Sequence, residues 1–136
     1  MDDRQRASSG SPWELTVGYS RAVRVGDRVF VAGTAPQWSD GTVDPDPAAQ
    51  TRRSFEIIDD ALVTVGATLN DVVRTRMYLV DAGDFQAIGA VHGEYMSDAL
   101  PVNTTVVVAA LLDPRWKVEV EVEAVIPLDR SRDRNG

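Results

Sequence analysis

The chain has 136 residues, of which 43% are apolar and 26% charged, and its formal net charge is −7. This composition is typical of one domain with a single hydrophobic core, and its negative charge disfavours binding to the phosphate backbone of a nucleic acid. Cysteine is absent, which excludes disulfides, thiol nucleophiles and thiolate metal sites and fits a reducing compartment.

Polar residues dominate the beginning of the chain, and residues 1–11 are predicted to be a flexible N-terminal tail. Residues 12–128 are predicted to form one domain and residues 129–136 a flexible C-terminal tail. The first residues lack the apolar core of a secretion signal, and no apolar run approaches the roughly 20 residues of a membrane helix. We therefore expect a cytoplasmic protein that does not contact a membrane.

The first predicted elements are two short strands, residues 22–25 and 28–32, which form a hairpin across a Gly-Asp turn. Asp46 is a typical N-cap, and Pro47 suits the first helical position. These two residues predict a helix that ends near Gly66. Apolar residues repeat at helical spacing on its buried face: Phe55, Ile58, Leu62 and Val65.

A further strand is predicted over residues 72–80. One of its faces carries Val73, Thr75, Met77 and Leu79, and the other carries Arg74, Arg76 and Tyr78. The two arginines either pair with carboxylates of a neighbouring strand or hold an anionic ligand, and the sequence leaves both interpretations open.

Asp84 is predicted to cap a second helix, in which Phe85, Ile88, His92 and Tyr95 share one face. His92 is the only histidine, so a zinc site would need several carboxylates, and we expect no metal and no other cofactor. Its position favours a hydrogen-bonded residue partly inside the core.

The three tryptophans, Trp13, Trp38 and Trp116, all lie near predicted turns. At such positions a ring can cover an apolar edge while its N–H meets water or a carbonyl. We expect this covering role, with Trp116 also a candidate to wall a cleft.

Two strands are predicted near the end of the chain, residues 101–108 and 117–124, with a turn at Asp113-Pro114 between them. The second strand alternates strictly, with Val118, Val120, Val122 and Ala124 on one face and Glu119, Glu121 and Glu123 on the other. Three neighbouring carboxylates repel one another unless cations, donors or water compensate them. The glutamate face is therefore either the solvated side of an antiparallel sheet or the border of a cleft or partner.

Five segments occur in the order and spacing of the Rid family, also called YjgF/YER057c-like: residues 18–23, 29–36, 73–81, 101–108 and 121–124. The resemblance covers roughly residues 15–128. It implies an α+β subunit similar in shape to chorismate mutase, with a mixed sheet of about six strands and two helices packed on one face. It also implies a homotrimer with a ligand cleft between each pair of neighbouring subunits.

The best-known members of that family hydrolyse reactive 2-imino or 2-enamino acids to 2-oxo acids and ammonia. The resemblance implies that Glu121 positions or activates the water, that Tyr19 and Gly33 belong to the pocket, and that Glu119 and Glu123 are interface or surface residues. Where the family has an arginine that grips the substrate carboxylate, this chain has Asn103. A neutral amide cannot supply the charged, bidentate contact, so we expect a departure from the usual deaminase.

Two functions remain open at this level. The first is an enzyme acting on a small imine, enamine or carbonyl compound, with Glu121 as general base or water-orienting group. Its expected substrate-binding residues are Tyr19, Gly33, Asn103, Thr104 and Arg76. The second is a non-catalytic trimer that binds a metabolite or a partner protein through the same cleft. RNA is not an expected partner, because no basic stripe with interleaved aromatic residues is present.

Overall fold

The computed structural model describes residues 3–129. It contains six strands and three α-helices, in the order β1 Gln5–Ala7, α1 Pro12–Val17, β2 Ala22–Val25, β3 Arg28–Thr34, α2 Pro47–Thr64, β4 Val72–Leu79, α3 Phe85–Met96, β5 Val102–Val107 and β6 Val118–Val125. The predicted α+β class with a mixed six-stranded sheet is confirmed. The short helix α1 is an addition to the two helices that the sequence indicated.

The sheet has the strand order β1-β2-β3-β6-β4-β5. All neighbouring strands are antiparallel except β4 and β5, which are parallel and are connected through helix α3, as a parallel pair requires. The consecutive strands β5 and β6 therefore do not pair with each other, because β4 lies between them. This order places the arginine-bearing strand directly beside the glutamate-bearing strand.

The core lies between the sheet and helices α2 and α3, which also pack against each other. Asp46 caps α2 as predicted, since its side chain accepts a hydrogen bond from the backbone N–H of Ala49. The predicted apolar faces of α2 and β6 are confirmed as core: Phe55, Ile58, Leu62, Val65, Val118, Val120, Val122 and Ala124 are all buried. Strand β6 thus has one apolar face and one glutamate face, and the second is turned away from the helices.

Two large apolar side chains of β4 and α3 lie outside the core. Val73 is 44% exposed, because the register between β4 and β6 shifts between Val72 and Arg74 and buries Val72 instead. Phe85 is 47% exposed on α3, where its ring lies over Gly89 of the same helix.

The predicted N-terminal tail is corrected for residues 5–7. They form β1, which pairs with β2 and buries Ala7, so this segment is part of the sheet. A three-residue edge strand has too short a pattern to be recognised in a polar segment. Residues 1–2 and 130–136 lie outside the described part of the chain, so most of the predicted C-terminal tail does too. Within residues 3–129, no helix is both long and apolar enough to cross a bilayer.

Candidate functional site

Glu121 lies on β6 with both carboxylate oxygens occupied by donors from β4. Arg76 Nη1 donates to Oε2 at 2.8 Å, and the Tyr78 hydroxyl donates to Oε1 at 2.8 Å. The hydrogen bond to Glu121, together with burial and the negative charge of that carboxylate, raises the pKa of Tyr78. The phenol therefore stays protonated near neutral pH and fixes the orientation of Glu121.

The arginines of β4 pair with the glutamates of β6 across the sheet. Arg74 Nε lies 3.3 Å from Glu123 Oε2, and Arg76 Nη1 lies 3.5 Å from Glu123 Oε1 in addition to its bond to Glu121. The hydrogen bond with Glu121 and the charges of both carboxylates raise the pKa of Arg76. The cross-strand interpretation of these arginines is confirmed, and the expected role of Arg76 as a substrate clamp competes with these contacts.

A break in the ladder between β3 and β6 places Gly33 against Glu119. The register shifts between Val31 and Thr34, as in a β-bulge. A Cβ atom added at Gly33 would lie 3.1 Å from Glu119 Cδ and 3.2 Å from its Oε1, which is closer than ordinary contact. Glycine at this position therefore gives the Glu119 carboxylate room beside the backbone of β3.

Glu119 is half-buried, and no other described residue donates a hydrogen bond to its carboxylate. Burial raises the pKa of Glu119, the Glu121 charge acts in the same direction, and Arg21 opposes both. In the single chain Glu119 is therefore not a fully exposed surface residue, and its expected position at a subunit interface stays a prediction. The alternating pattern gave no signal for this difference, because it treats the three glutamates alike.

Two cavities meet at Gly33 and Glu119. The smaller, which we call the glutamate cavity, has a volume of about 380 Å³ and is lined by Gly33, Tyr78, Val108, Ala110, Leu111, Leu112, Glu119 and Glu121. The larger, which we call the tryptophan cavity, has a volume of about 700 Å³. Its walls include Trp13, Tyr19, Arg21, Gly33, Trp38, Arg53, Trp116 and Glu119. All three tryptophans of the chain, which the sequence placed only near turns, therefore line one cavity.

Arg21 connects the predicted pocket residues Tyr19 and Gly33. Its Nη2 donates to the Tyr19 hydroxyl oxygen at 3.2 Å, and its Nη1 donates to the Gly33 carbonyl at 2.7 Å and to Thr34 Oγ1 at 3.2 Å. The guanidinium also lies 5.4 Å from the centre of the Tyr19 ring. Since the Tyr19 oxygen accepts from Arg21, its own hydrogen remains available for an acceptor in the tryptophan cavity.

A buried carboxylate, Glu14 of α1, balances the charge of Arg21. The two groups are 3.4 Å apart, and their side chains are 5% and 6% exposed. Burial by itself would raise the pKa of Glu14, but hydrogen bonds from Ser9 and Ser8 and the charge of Arg21 lower it. Neither Glu14 nor Arg21 was singled out from sequence, because a buried ion pair between short elements leaves no periodic pattern.

Asn103 lies on the helix-facing side of β5, away from Glu121. Its Nδ2 donates to Thr75 Oγ1 at 2.9 Å, and its Oδ1 accepts from Thr105 Oγ1 at 2.9 Å. Thr104 lies on the glutamate side of the sheet, exposed and in register with Arg76. Neither Asn103 nor Thr104 lines either cavity, so one chain alone does not bring these predicted pocket residues together with Glu121, Gly33 and Tyr19.

His92 is a hydrogen-bonded, partly buried residue, as predicted. Its Nε2 lies 2.7 Å from Thr75 Oγ1, and its ring packs edge-on against Phe55. Burial lowers the pKa of His92, so the neutral imidazole is favoured. Thr75 is fully buried, and neither Thr75 nor His92 lines either cavity.

Comparisons with known proteins agree on one family. Residues 12–126 match the model of the endoribonuclease L-PSP family. An uncharacterized protein of Streptomyces coelicolor is 41% identical over 121 residues, which are 88% of this chain and 90% of that protein. A RutC family protein of Pyrococcus abyssi is 38% identical over 115 residues, which are 79% of this chain and 84% of that protein.

A solved structure gives the same result. The crystal structure of Rv2704 from Mycobacterium tuberculosis, a member of the YjgF/YER057c/UK114 family, is similar with a TM-score of 0.85 and 44% sequence identity. The match covers 91% of this chain and all of the Rv2704 chain.

Proposed function

This chain belongs to the endoribonuclease L-PSP family, also named YjgF/YER057c/UK114 or Rid, and from that premise we propose a function in metabolite chemistry. The protein binds a small polar metabolite and catalyses hydrolytic deamination, or a related proton transfer or hydration, on an imine, enamine or carbonyl compound. The observation that supports this proposal best is the placement of two carboxylates with different environments, Glu119 and Glu121, on the wall of one cavity.

Imine hydrolysis needs a group that takes a proton from water and a group that gives one to nitrogen. Glu121, oriented by Arg76 and Tyr78, accepts the proton as the water oxygen bonds to the imine carbon. Glu119, whose pKa is raised by burial, gives its proton to the nitrogen, which completes the carbinolamine. Glu121 then returns its proton to that nitrogen while Glu119 takes the proton of the hydroxyl group, so that the C–N bond breaks, ammonia leaves, the carbonyl remains and both glutamates regain their starting states. Such a pair of carboxylates held in different environments is a common basis for separate acid and base roles.

Residues that line the tryptophan cavity would hold the substrate. The Tyr19 hydroxyl, kept as a donor by Arg21, and the bulged backbone at Gly33 are the groups we assign to polar atoms of the ligand. Asn103 and Thr104 join this site only if they come from a neighbouring subunit. The proposal therefore includes the homotrimer with clefts between subunits.

The exposed side of the sheet supports this assembly. Phe30, Val102 and Val106 are between 43% and 58% exposed there, beside the ion-paired arginines and glutamates. Apolar side chains that surround partly buried ion pairs are typical of an interface between subunits. The partners that we propose are therefore other copies of this chain and a small-molecule metabolite.

We expect a mass close to three times the chain's 14.8 kDa when the protein is analysed by light scattering behind a sizing column. V106E should lower this mass, because it places a fourth carboxylate side chain among the glutamates of the proposed interface. V63E, on the exposed face of α2, is the matched control and should leave the mass unchanged. A monomer mass of the unaltered protein at micromolar concentration would refute the assembly.

Asn103, which stands where the family has an arginine, should limit hydrolysis of imino acids. We expect weak hydrolysis of imino acids made in situ from serine or threonine, and N103R should raise it about tenfold or more, because a charged bidentate contact contributes several kcal/mol. Released 2-oxo acid is the measured product. T105R, on the same side of β5, is the control and should give no gain. Strong hydrolysis by the unaltered protein would mean that a different residue binds the carboxylate.

A non-catalytic trimer that binds a metabolite or partner protein is the second candidate. It is favoured by the pairing of both Arg74 and Arg76 with glutamates, because neither arginine of β4 is then free to bind a substrate carboxylate. Turnover of any imine at rates above the uncatalysed reaction decides between the candidates. The ribonuclease in the family name is not part of our proposal, because a chain of net charge −7 repels RNA.

A further inference from the structure

The tryptophan cavity is larger than a four-carbon imino acid needs. Its volume is about 700 Å³, within the range of pockets that hold drug-sized ligands. It borders Gly33 and Glu119, so a molecule that reacts at these residues can extend into it. The larger cavity therefore has room for a side chain of such a molecule.

Aromatic surface is the first property of this cavity. Trp13, Trp38 and Trp116 come from three separate segments of the chain and line the same space. Trp116 is buried, and its indole N–H has no hydrogen-bond partner among the described residues. Converging aromatic rings with a small number of polar donors are typical of a site for a planar or largely apolar group.

Positive charge is the second property. The charged residues that line the cavity are Arg21, Arg53 and Glu119. Arg21 is balanced by Glu14, and burial favours the neutral form of Glu119. Arg53 is thus the cation in this cavity whose positive charge is least balanced by a neighbouring carboxylate, although the protein as a whole is acidic.

Arg53 is held in place from two sides. Its Nε donates to the Gln37 carbonyl at 3.1 Å, and its guanidinium lies 5.8 Å from the centre of the Trp38 ring. Nη1 makes a contact of 3.4 Å with Glu56, which is 55% exposed, and Nη2 has no partner among the described residues. An arginine fixed in this way keeps donors available for a carboxylate.

We infer that the tryptophan cavity binds an aromatic organic anion, with its ring among the tryptophans and its carboxylate on Arg53. This inference rests on the proposed function and names its substrate class: an imine or enamine of a 2-oxo acid with an aromatic side chain. Arg53 supplies the charged contact to the carboxylate, which the neutral amide of Asn103 cannot supply. Because the reacting carbon is bonded to that carboxylate, the inference requires it to lie between Arg53 and the part of the cavity wall formed by Gly33 and Glu119.

The test uses stable carboxylates, so that binding is measured without turnover. Calorimetric titration of the full-length protein with 3-phenylpropanoate and with butanoate should give about tenfold or greater preference for the aromatic acid, because only its ring fills the cavity. Tryptophan fluorescence excited at 295 nm should change with the aromatic acid, since all three tryptophans line the site. Equal affinities, or no binding of either acid up to 10 mM (about the weakest affinity of interest), would overturn the inference.

Arg53 is tested by R53Q, with R52Q as the matched control. Arg52 is the preceding residue on α2, but it pairs with Glu94 of α3 and does not line the cavity. R53Q should weaken 3-phenylpropanoate binding by about tenfold or more and leave the affinity for neutral 3-phenylpropanamide unchanged, which also shows that the variant is folded. Equal losses in R52Q and R53Q would refute the assignment of Arg53.

The outcomes for the two proposals are separable. Failure of imine turnover with selective binding of the aromatic acid would count against the proposed reaction alone. Turnover of small imines with no preference for the aromatic acid would count against the tryptophan cavity alone.

Discussion

E121Q is expected to reduce turnover of an imine substrate by about 10²–10⁴-fold, the usual contribution of a general base. Glutamine keeps the shape of the side chain but cannot take a proton from water. Tyr78 and Arg76 lose the charge of their acceptor, so a modest loss of stability accompanies the change. The measurement is kcat and KM for imino acids generated in situ, together with the mass of the oligomer, which should not change.

Variants of the two neighbouring glutamates separate the catalytic role of Glu121 from the general effect of removing a negative charge from this strand face. E123Q removes a carboxylate from the same strand face, where Glu123 pairs with Arg74, and should leave kcat nearly unchanged. E119Q should lower kcat and alter the pH profile, because Glu119 acts in its protonated form and wild-type activity falls as pH rises through its raised pKa. Normal turnover by E121Q with an inactive E119Q would transfer the role of base to Glu119.

E14Q is expected to lower the free energy of unfolding by about 3–5 kcal/mol, because it leaves the Arg21 charge buried without its partner. It should also disturb Tyr19 and Gly33, which Arg21 holds in place. Urea denaturation at fixed protein concentration measures the change, and the fixed concentration is needed for an oligomer.

E94Q is the matched control for this loss. Glu94 pairs with Arg52 at the surface, where both side chains are about half exposed, so the cost should be about 0–1 kcal/mol. If E14Q lowers the free energy of unfolding no more than E94Q does, the buried pair does not stabilise the fold.

The same pair gives a pH dependence with a definite sign. The pKa of Glu14 is lowered in the folded state, so its contribution is complete above the ordinary carboxyl pKa and is lost as pH falls through the folded value. The difference in stability between wild type and E14Q should therefore shrink in acid. A difference that grows as pH falls would contradict the assigned charge state.

The sequence alone determined the features that depend on local period and on caps. Strict alternation fixed the core face of β6, and helical spacing after Asp46 and Pro47 fixed α2, because the pleat and the helical turn assign each residue to a face. The pairing of Arg74 and Arg76 with glutamates was one of two open interpretations. The structure selected it by placing β4 directly beside β6.

The strand pattern by itself did not distinguish the three glutamates: the family resemblance singled out Glu121, and the tertiary structure gave Glu119 and Glu121 their different surroundings. Alternation makes Glu119, Glu121 and Glu123 equivalent, but the bulge at Gly33 places Glu119 between two cavities, and the register with β4 gives Glu121 its two donors. The tryptophan cavity likewise joins segments that are far apart in the chain. The ion pair of Glu14 with Arg21 joins two neighbouring short segments. Such contacts depend on strand order and register, which no local pattern in the sequence encodes.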